Sequence, residues 1–132
     1  MRSRLLAVVV VAFVVLSLAG YALPVSAQTK DEYTFVVITH SASISFWVPL
    51  VKGAQDAARH ISAGDGVTIH IRHMGPALFD VAEQVAIMEN AIQSGVDGII
   101  ATLPDPNAFR APIQEAHRRY IPVIATNTDD PG

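Results

Sequence analysis

The sequence has no cysteine in its 132 positions and a single tryptophan, Trp47. Without cysteine there is no disulfide, so the apolar core alone must hold the fold, and there is no thiol for a lipoprotein anchor. Charge is sparse, at 16% of residues, and the formal net charge is −3. A mildly acidic chain offers neither nucleic acid nor an anionic membrane a basic surface, which excludes a nucleic-acid partner. Phosphate loops are missing as well: "LVKGAQ" lacks the spacing of G-x-x-x-x-G-K-[ST], and "GDG" at 64–66 is a turn rather than G-x-G-x-x-G. No G-x-S-x-G elbow occurs. Five histidines in a short chain make Ser, His and Asp combinations trivially available, so they support no hydrolytic triad. His70 and His73 are three apart on a strand and point to opposite faces, which does not suit a metal pair. The reading is of a protein that is not an enzyme and has no cofactor or metal.

The long apolar run stands at the start. "MRSR" is basic, "LLAVVVVAFVVLSLAG" is uncharged, and "YALPVSA" supplies Pro24 with Val25 and Ala27 at the positions a signal peptidase reads. This is the order of a secretory signal with cleavage after Ala27. The other reading is an uncleaved anchor, since Leu5 to Leu23 is nineteen residues, enough to span a bilayer. Cleavage removes Arg2 and Arg4 and takes the net charge from −3 to −5. The domain expected is then 28–132, which is enough chain for one core.

After the leader, strand-like and helix-like segments alternate. "YTFVVIT" (33–39) is β-branched and aromatic and reads as a buried strand. In "FWVPLVKGAQDAARHIS" (46–62), Leu50, Ala54, Ala57 and Ile61 recur at helical spacing, with Pro49 in the first turn and "AGDG" (63–66) as the stop. "VTIHIRH" (67–73) alternates strictly, as a half-exposed edge strand does. Asp80 caps a helix "VAEQVAIMENAIQS" that Gly95 closes. "DGIIATL" (97–103) is a third strand, "PDPN" a turn, "AFRAPIQEAHRRY" (108–120) a helix with Pro112 near its start, and "IPVIAT" (121–126) a fourth strand.

The pattern βαβαβαβ implies an α/β fold, a three-layer doubly wound parallel sheet with right-handed crossovers. The alternating second strand belongs at an edge, which the order 2-1-3-4 satisfies. That order puts a switch point between the first and third strands, and ligands bind beyond the carboxyl ends of the strands near such a point. His40, Ser41, Ser43, Phe46 and Trp47 follow the first strand there, and the loops Met74–Phe79, Leu103–Asn107 and Asn127–Asp130 converge on it. Aromatic faces suit the C–H faces of a sugar ring, and Ser, Asn and Asp suit its hydroxyls. Phe46 and Trp47 have a plainer alternative, packing the helix start onto the sheet edge.

The pieces "FVVITHSASISFWVPLVKGAQDAAR", "GPALFDVAEQVAIMENAIQSGVDGIIATLPDPNAF" and "APIQEAHRRYIPVIATNTDDPG" follow one another over residues 34–132. In that order they resemble the N-terminal part of periplasmic sugar-binding proteins of ABC transporters, the ribose-binding-like kind. The resemblance implies a two-lobed protein that closes on a monosaccharide or related polyol, of which this is a partial N-terminal lobe. It implies a membrane permease and a chemoreceptor as partners, and the periplasm as location. Phe46 and Trp47 match the aromatic pair that stacks on the sugar, and Asn127 falls where a polar residue takes hydroxyls. Asn127-Thr128 stands where ribose binders carry Asp-Arg, and Ile44-Ser45 where they carry Asn-Pro, which turns the reading away from ribose. The ligand set expected is His40, Ser41, Ser43, Phe46, Trp47, Asp105 and Asn127. The rival is the extracytoplasmic sugar-sensing domain of a membrane-anchored receptor, with residues 5–23 as its anchor.

Overall fold

The structure is a computed structural model and describes residues 30–128, so the leader read at 1–27 and the last four residues lie outside it. Four parallel strands form one sheet in the order β2-β1-β3-β4: β1 Glu32–Ile38, β2 Thr68–Met74, β3 Gly98–Ala101 and β4 Val123–Ala125. Three helices connect them: α1 Val48–Asp65, α2 Val81–Gln93 and α3 Pro106–Arg118. The α/β class, the parallel sheet and the expected strand order are all present.

Strand alternation divides the side chains between two faces. Val36, Ile38, Ile99, Ala101 and Leu103 pack with Met88, Ala91 and Ile92 of α2 and Phe109 and Ala116 of α3 in one buried cluster. Phe35, Ile69, Ile71, Ile100 and Ile124 belong to the other face, over which α1 lays Ala54, Ala57, Ala58 and Ile61. Right-handed crossovers dictate this division. The step β1 to β2 runs one way across the sheet, and the steps to β3 and β4 run the other way, so their helices fall on opposite faces. On the α1 side an apolar groove of about 260 Å³ remains between the helix and β3 and β4. Gly98 has no side chain because a Cβ would come within 2.8 Å of the Phe35 ring, which crosses it on that face.

The elements differ from the expected ones mainly at their ends. Ser45–Trp47 forms a 3-10 turn ahead of α1, and the helix proper starts at Val48 with Pro49 in its first turn. α1 stops within "AGDG" as expected, but runs three residues into it, to Asp65. Gly64 stays helical, and only Gly66 takes the left-handed conformation (φ 69°) that ends a helix. α3 starts two residues before the expected position, because Asp105 accepts hydrogen bonds from the Asn107 and Ala108 amides and Pro106 fits the first turn. Part of "PDPN" is therefore helix, and Pro112 is a buried residue in the interior of α3 rather than near its start. α2 starts as expected, with Asp80 accepting from the Glu83 amide, and Gly95 follows it at φ 72°.

Candidate functional site

The carboxyl ends of β1, β2, β3 and β4 open into loops that hydrogen bonds join in pairs. The loop after β1 is stapled to the loop after β2. The Ala42 amide donates to the Pro76 carbonyl at 2.8 Å, and the Ser41 and Ser43 hydroxyls both donate to the Ala77 carbonyl, at 3.2 and 2.6 Å. Gly75 permits this approach, since a Cβ there would lie 2.3 Å from the Thr39 carbonyl oxygen. Thr39 is fully buried, and its hydroxyl meets His73 Nε2 at 2.9 Å. Burial pushes the His73 imidazole below its ordinary pKa.

On the other side, the Leu103 amide donates to the Thr128 carbonyl at 3.1 Å and the Thr126 amide to Ala101 at 2.9 Å. Asn127 stands exposed at the tip of this tight turn with φ 64°, a conformation asparagine tolerates better than most residues. Beneath, the fully buried Gln84 of α2 donates its amide to the Thr102 carbonyl at 2.8 Å and to the Thr102 hydroxyl at 3.1 Å.

Four rings form a continuous chain across the first two loops. Phe46 is edge-on to Trp47 at 4.8 Å, Trp47 to His40 at 5.1 Å, and His40 to Phe79 at 5.5 Å between ring centres. Trp47 is only 3% exposed, whereas Phe46 is 64% and Phe79 61% exposed. The indole is the floor of the chain and the two phenyl rings are its accessible ends. The two readings of the aromatic pair therefore divide: Trp47 packs, and Phe46 presents a free face.

The structure thus brings His40, Ser41, Ser43, Phe46 and Trp47 together on one pair of loops and sets Asp105 and Asn127 on the other. Ser41 is 2% exposed and spends its proton on Ala77. Ser43 is exposed but also donates to Ala77. Asp105 is exposed, with one carboxylate oxygen occupied in capping α3. Among the described residues, the buried side-chain polar atoms that lack a hydrogen-bond partner are His40 Nδ1, Trp47 Nε1, Gln84 Oε1 and Thr128 Oγ1. All four belong to residues at this end of the sheet or touching it. Buried polar atoms are nearly always paired, so such a concentration marks a place with hydrogen-bonding capacity in hand. Gln84, Thr102 and Phe79 were not singled out from the sequence. Helical spacing from Val81, Val85 and Met88 does put Gln84 on the buried face, and a buried amide must find partners. A hydrophobic residue just before an N-cap, like Phe79, ordinarily reads as a staple onto its own helix.

The other histidines are engaged away from this end or exposed. His70 Nε2 meets Glu32 at 2.7 Å on the edge strand, and His60 and His117 are exposed. Among the described residues no group of three or more metal-ligating side chains converges, and no helix is long and apolar enough to cross a membrane.

Comparison with known proteins decides the family. The profile of the periplasmic binding protein domain matches residues 35–132. The chain belongs to the periplasmic binding protein family. It corresponds to the N-terminal part of a periplasmic sugar-binding protein. Its curated relatives include the xylose/arabinose-binding protein XylF of Sulfolobus acidocaldarius, 35% identical over 103 residues that make up 75% of this chain and 24% of that protein. Among solved structures, a periplasmic sugar-binding protein of an ABC sugar transporter from Legionella pneumophila is 32% identical with a TM-score of 0.64, over 76% of this chain and 35% of the other. An ABC transporter solute-binding protein from Agrobacterium vitis, with D-fucose bound, is 33% identical with a TM-score of 0.60, over 70% of this chain and 30% of the other. The chain therefore spans about a quarter to a third of the length of the periplasmic binding proteins it matches.

Proposed function

We propose that this chain forms one wall of the ligand cleft in the substrate-binding component of an ABC importer. Its ligand is a monosaccharide or related polyol, bound without chemical change at the carboxyl ends of the strands. Phe46 carries the reading. It is a large aromatic side chain held 64% exposed at the mouth, with its edge fixed against Trp47. An exposed ring of this kind stacks on the C–H face of a sugar. Hydroxyls are met by Asn127, by the free oxygen of Asp105, by the Ser43 lone pairs and by His40, while Ser41 and Trp47 support these groups from below. Relatives that bind pentoses and D-fucose agree with this ligand class. The leader is cleaved after Ala27, the protein works in the periplasm, and a second lobe closes over the sugar before a permease, or a chemoreceptor, receives it.

The test is calorimetric titration of the full-length protein with a panel of aldoses and polyols, for the wild type and for Phe46→Ala. Binding of at least one sugar, weakened tenfold or more by Phe46→Ala, is expected. A panel that gives no heat, or a variant with unchanged affinity, rejects the assignment. N-terminal sequencing of the exported protein should start at Gln28; a start at Met1 would favour the anchored sensor instead.

A further inference from the structure

The exposed large apolar side chains around the strand ends gather on one side of the mouth. The loops after β3 and β4 carry Asp105, Asn127 and Thr102, which the buried Gln84 of α2 meets from below. Those after β1 and β2, with the first residue of α1, carry Ile44, Phe46, Val48, Leu78 and Phe79 beside His40 and Ser43, and these five are among the large hydrophobic side chains that the described residues leave exposed. An apolar cluster of this kind on one side of a mouth asks for an apolar complement. Phe79 is not a stray surface residue. Its ring is edge-on to His40 at 5.5 Å, and its loop is held by the three bonds from Ser41, Ala42 and Ser43 to Pro76 and Ala77. The ring chain from Phe46 to Phe79 therefore has two accessible aromatic ends and a rigid middle.

We infer that Phe79 is a specificity-determining residue of this site, and that the ligand it selects is a sugar with an apolar edge. That edge is a deoxy or alkyl-substituted terminal carbon, where a common sugar carries a hydroxyl. The inference rests on the sugar-binding reading above. Phe46 covers one ring face, and the groups after β3 and β4 take the hydroxyls of one side. The remaining edge then meets Phe79 and Leu78, neither of which has a side-chain donor or acceptor. A hydroxyl placed there gives up its water and gains no partner, whereas a methyl group placed there is buried favourably.

The experiment titrates the full-length protein with matched pairs: D-glucose and 6-deoxy-D-glucose, D-galactose and 6-deoxy-D-galactose, D-ribose and 5-deoxy-D-ribose. For the best-bound pair the wild type should favour the deoxy member by about tenfold, the usual scale for one small group in an apolar pocket. Phe79→Ser should bring that ratio to about one or below. Phe46→Ala should weaken both members alike. Phe79 is exposed, so Phe79→Ser should unfold at the same temperature as the wild type. Leu78→Ser, at the neighbouring exposed position, provides a second variant that should lower the ratio in the same direction. A wild type without deoxy preference, or a preference that survives both Phe79→Ser and Leu78→Ser, overturns the inference. If sugars bind and depend on Phe46 while the ratio ignores Phe79 and Leu78, the sugar reading stands and this inference alone falls. If no sugar binds, both fall.

Discussion

The Trp47 indole stands edge-on to the His40 imidazole with ring centres 5.1 Å apart, and solvent reaches almost none of it. Trp47→Ala should therefore act first on stability, lowering the unfolding free energy by about 3 kcal/mol, as truncation of a buried aromatic does. Phe46→Ala should change it by less than about 0.5 kcal/mol, as for an exposed residue. Denaturant titration of the two variants separates the roles. Equal losses would mean that Phe46 is packed as Trp47 is.

Gln84 links α2 to the end of β3 through both of its bonds to Thr102. Gln84→Leu keeps the volume but leaves the Thr102 carbonyl without that donor, so a loss of about 1–3 kcal/mol is expected. Amide exchange should accelerate at Thr102 and Leu103 before it does elsewhere in the sheet. Uniform acceleration would argue against a local clamp.

Tyr120 closes α3 in the left-handed conformation (φ 58°), and the Ile121 amide bonds back to the Ala116 carbonyl at 2.9 Å. Glycine is the usual residue in this place, because a Cβ there costs about 1 kcal/mol. The Tyr120 side chain is 94% exposed, so little packing is lost with it. Tyr120→Gly should raise the melting temperature by a few degrees, and a lower value would show that the ring contributes more than its backbone costs.

Burial beside the Thr39 hydroxyl holds the His73 pKa below its ordinary value of 6.5. The unfolded chain then takes up the proton more readily than the folded one. Stability should fall as pH drops from the unfolded value toward the folded one, and be unaffected by this group above about pH 7.5. His73→Gln should flatten that part of the stability–pH curve. A slope that persists in the variant would assign it to another group.

Asp97 behaves in the opposite sense. Burial alone would raise its pKa, but hydrogen bonds from Lys30 and from the Thr34 amide, together with the Lys30 charge, hold the carboxyl below its ordinary 3.8. Its contribution is present above the unfolded value and lost as pH falls through the lower folded one. Asp97→Asn should be less stable than the wild type at pH 7, and the difference should narrow as pH falls below about 3.8, measured by urea unfolding at each pH. A constant difference would contradict the shift.

The fold was legible because β-branched runs and amphipathic spacing agree along most of the chain, and because "VTIHIRH" alternates as only an edge strand does. Boundaries were missed where a local signal outweighed the usual rule. α1 runs to Asp65 rather than ending at Ser62 because Gly64 keeps helical angles and only Gly66 turns left-handed. Asp105 began α3 early because a cap and an N-terminal proline act together. For the candidate site, the sequence placed the loops that follow the strands together at the carboxyl end of the sheet, where the structure has them. It could not distinguish Phe46 from Trp47, since which of two adjacent aromatics faces solvent depends on the 3-10 turn Ser45–Trp47. Nor does the sequence show that the Ser41 and Ser43 hydroxyls both donate to the Ala77 carbonyl, since that contact joins loops 34 or more positions apart.

The first strand of the chain is the second from the edge of the sheet, between β2 on one side and β3 on the other. A polypeptide emerging from its amino end therefore delivers a sheet interior before either of its flanks exists. Val36 and Val37, fully buried in the finished protein, wait for partners first over thirty positions and then over more than sixty, as the pairing of Val36 with Arg72 and with Ile99 shows. Such late, long-range pairing is slow and leaves a sticky strand unaccompanied in the meantime. For this chain, the interval between emergence and closure is set by topology, and residues 33–38 are the segment left unpaired during it.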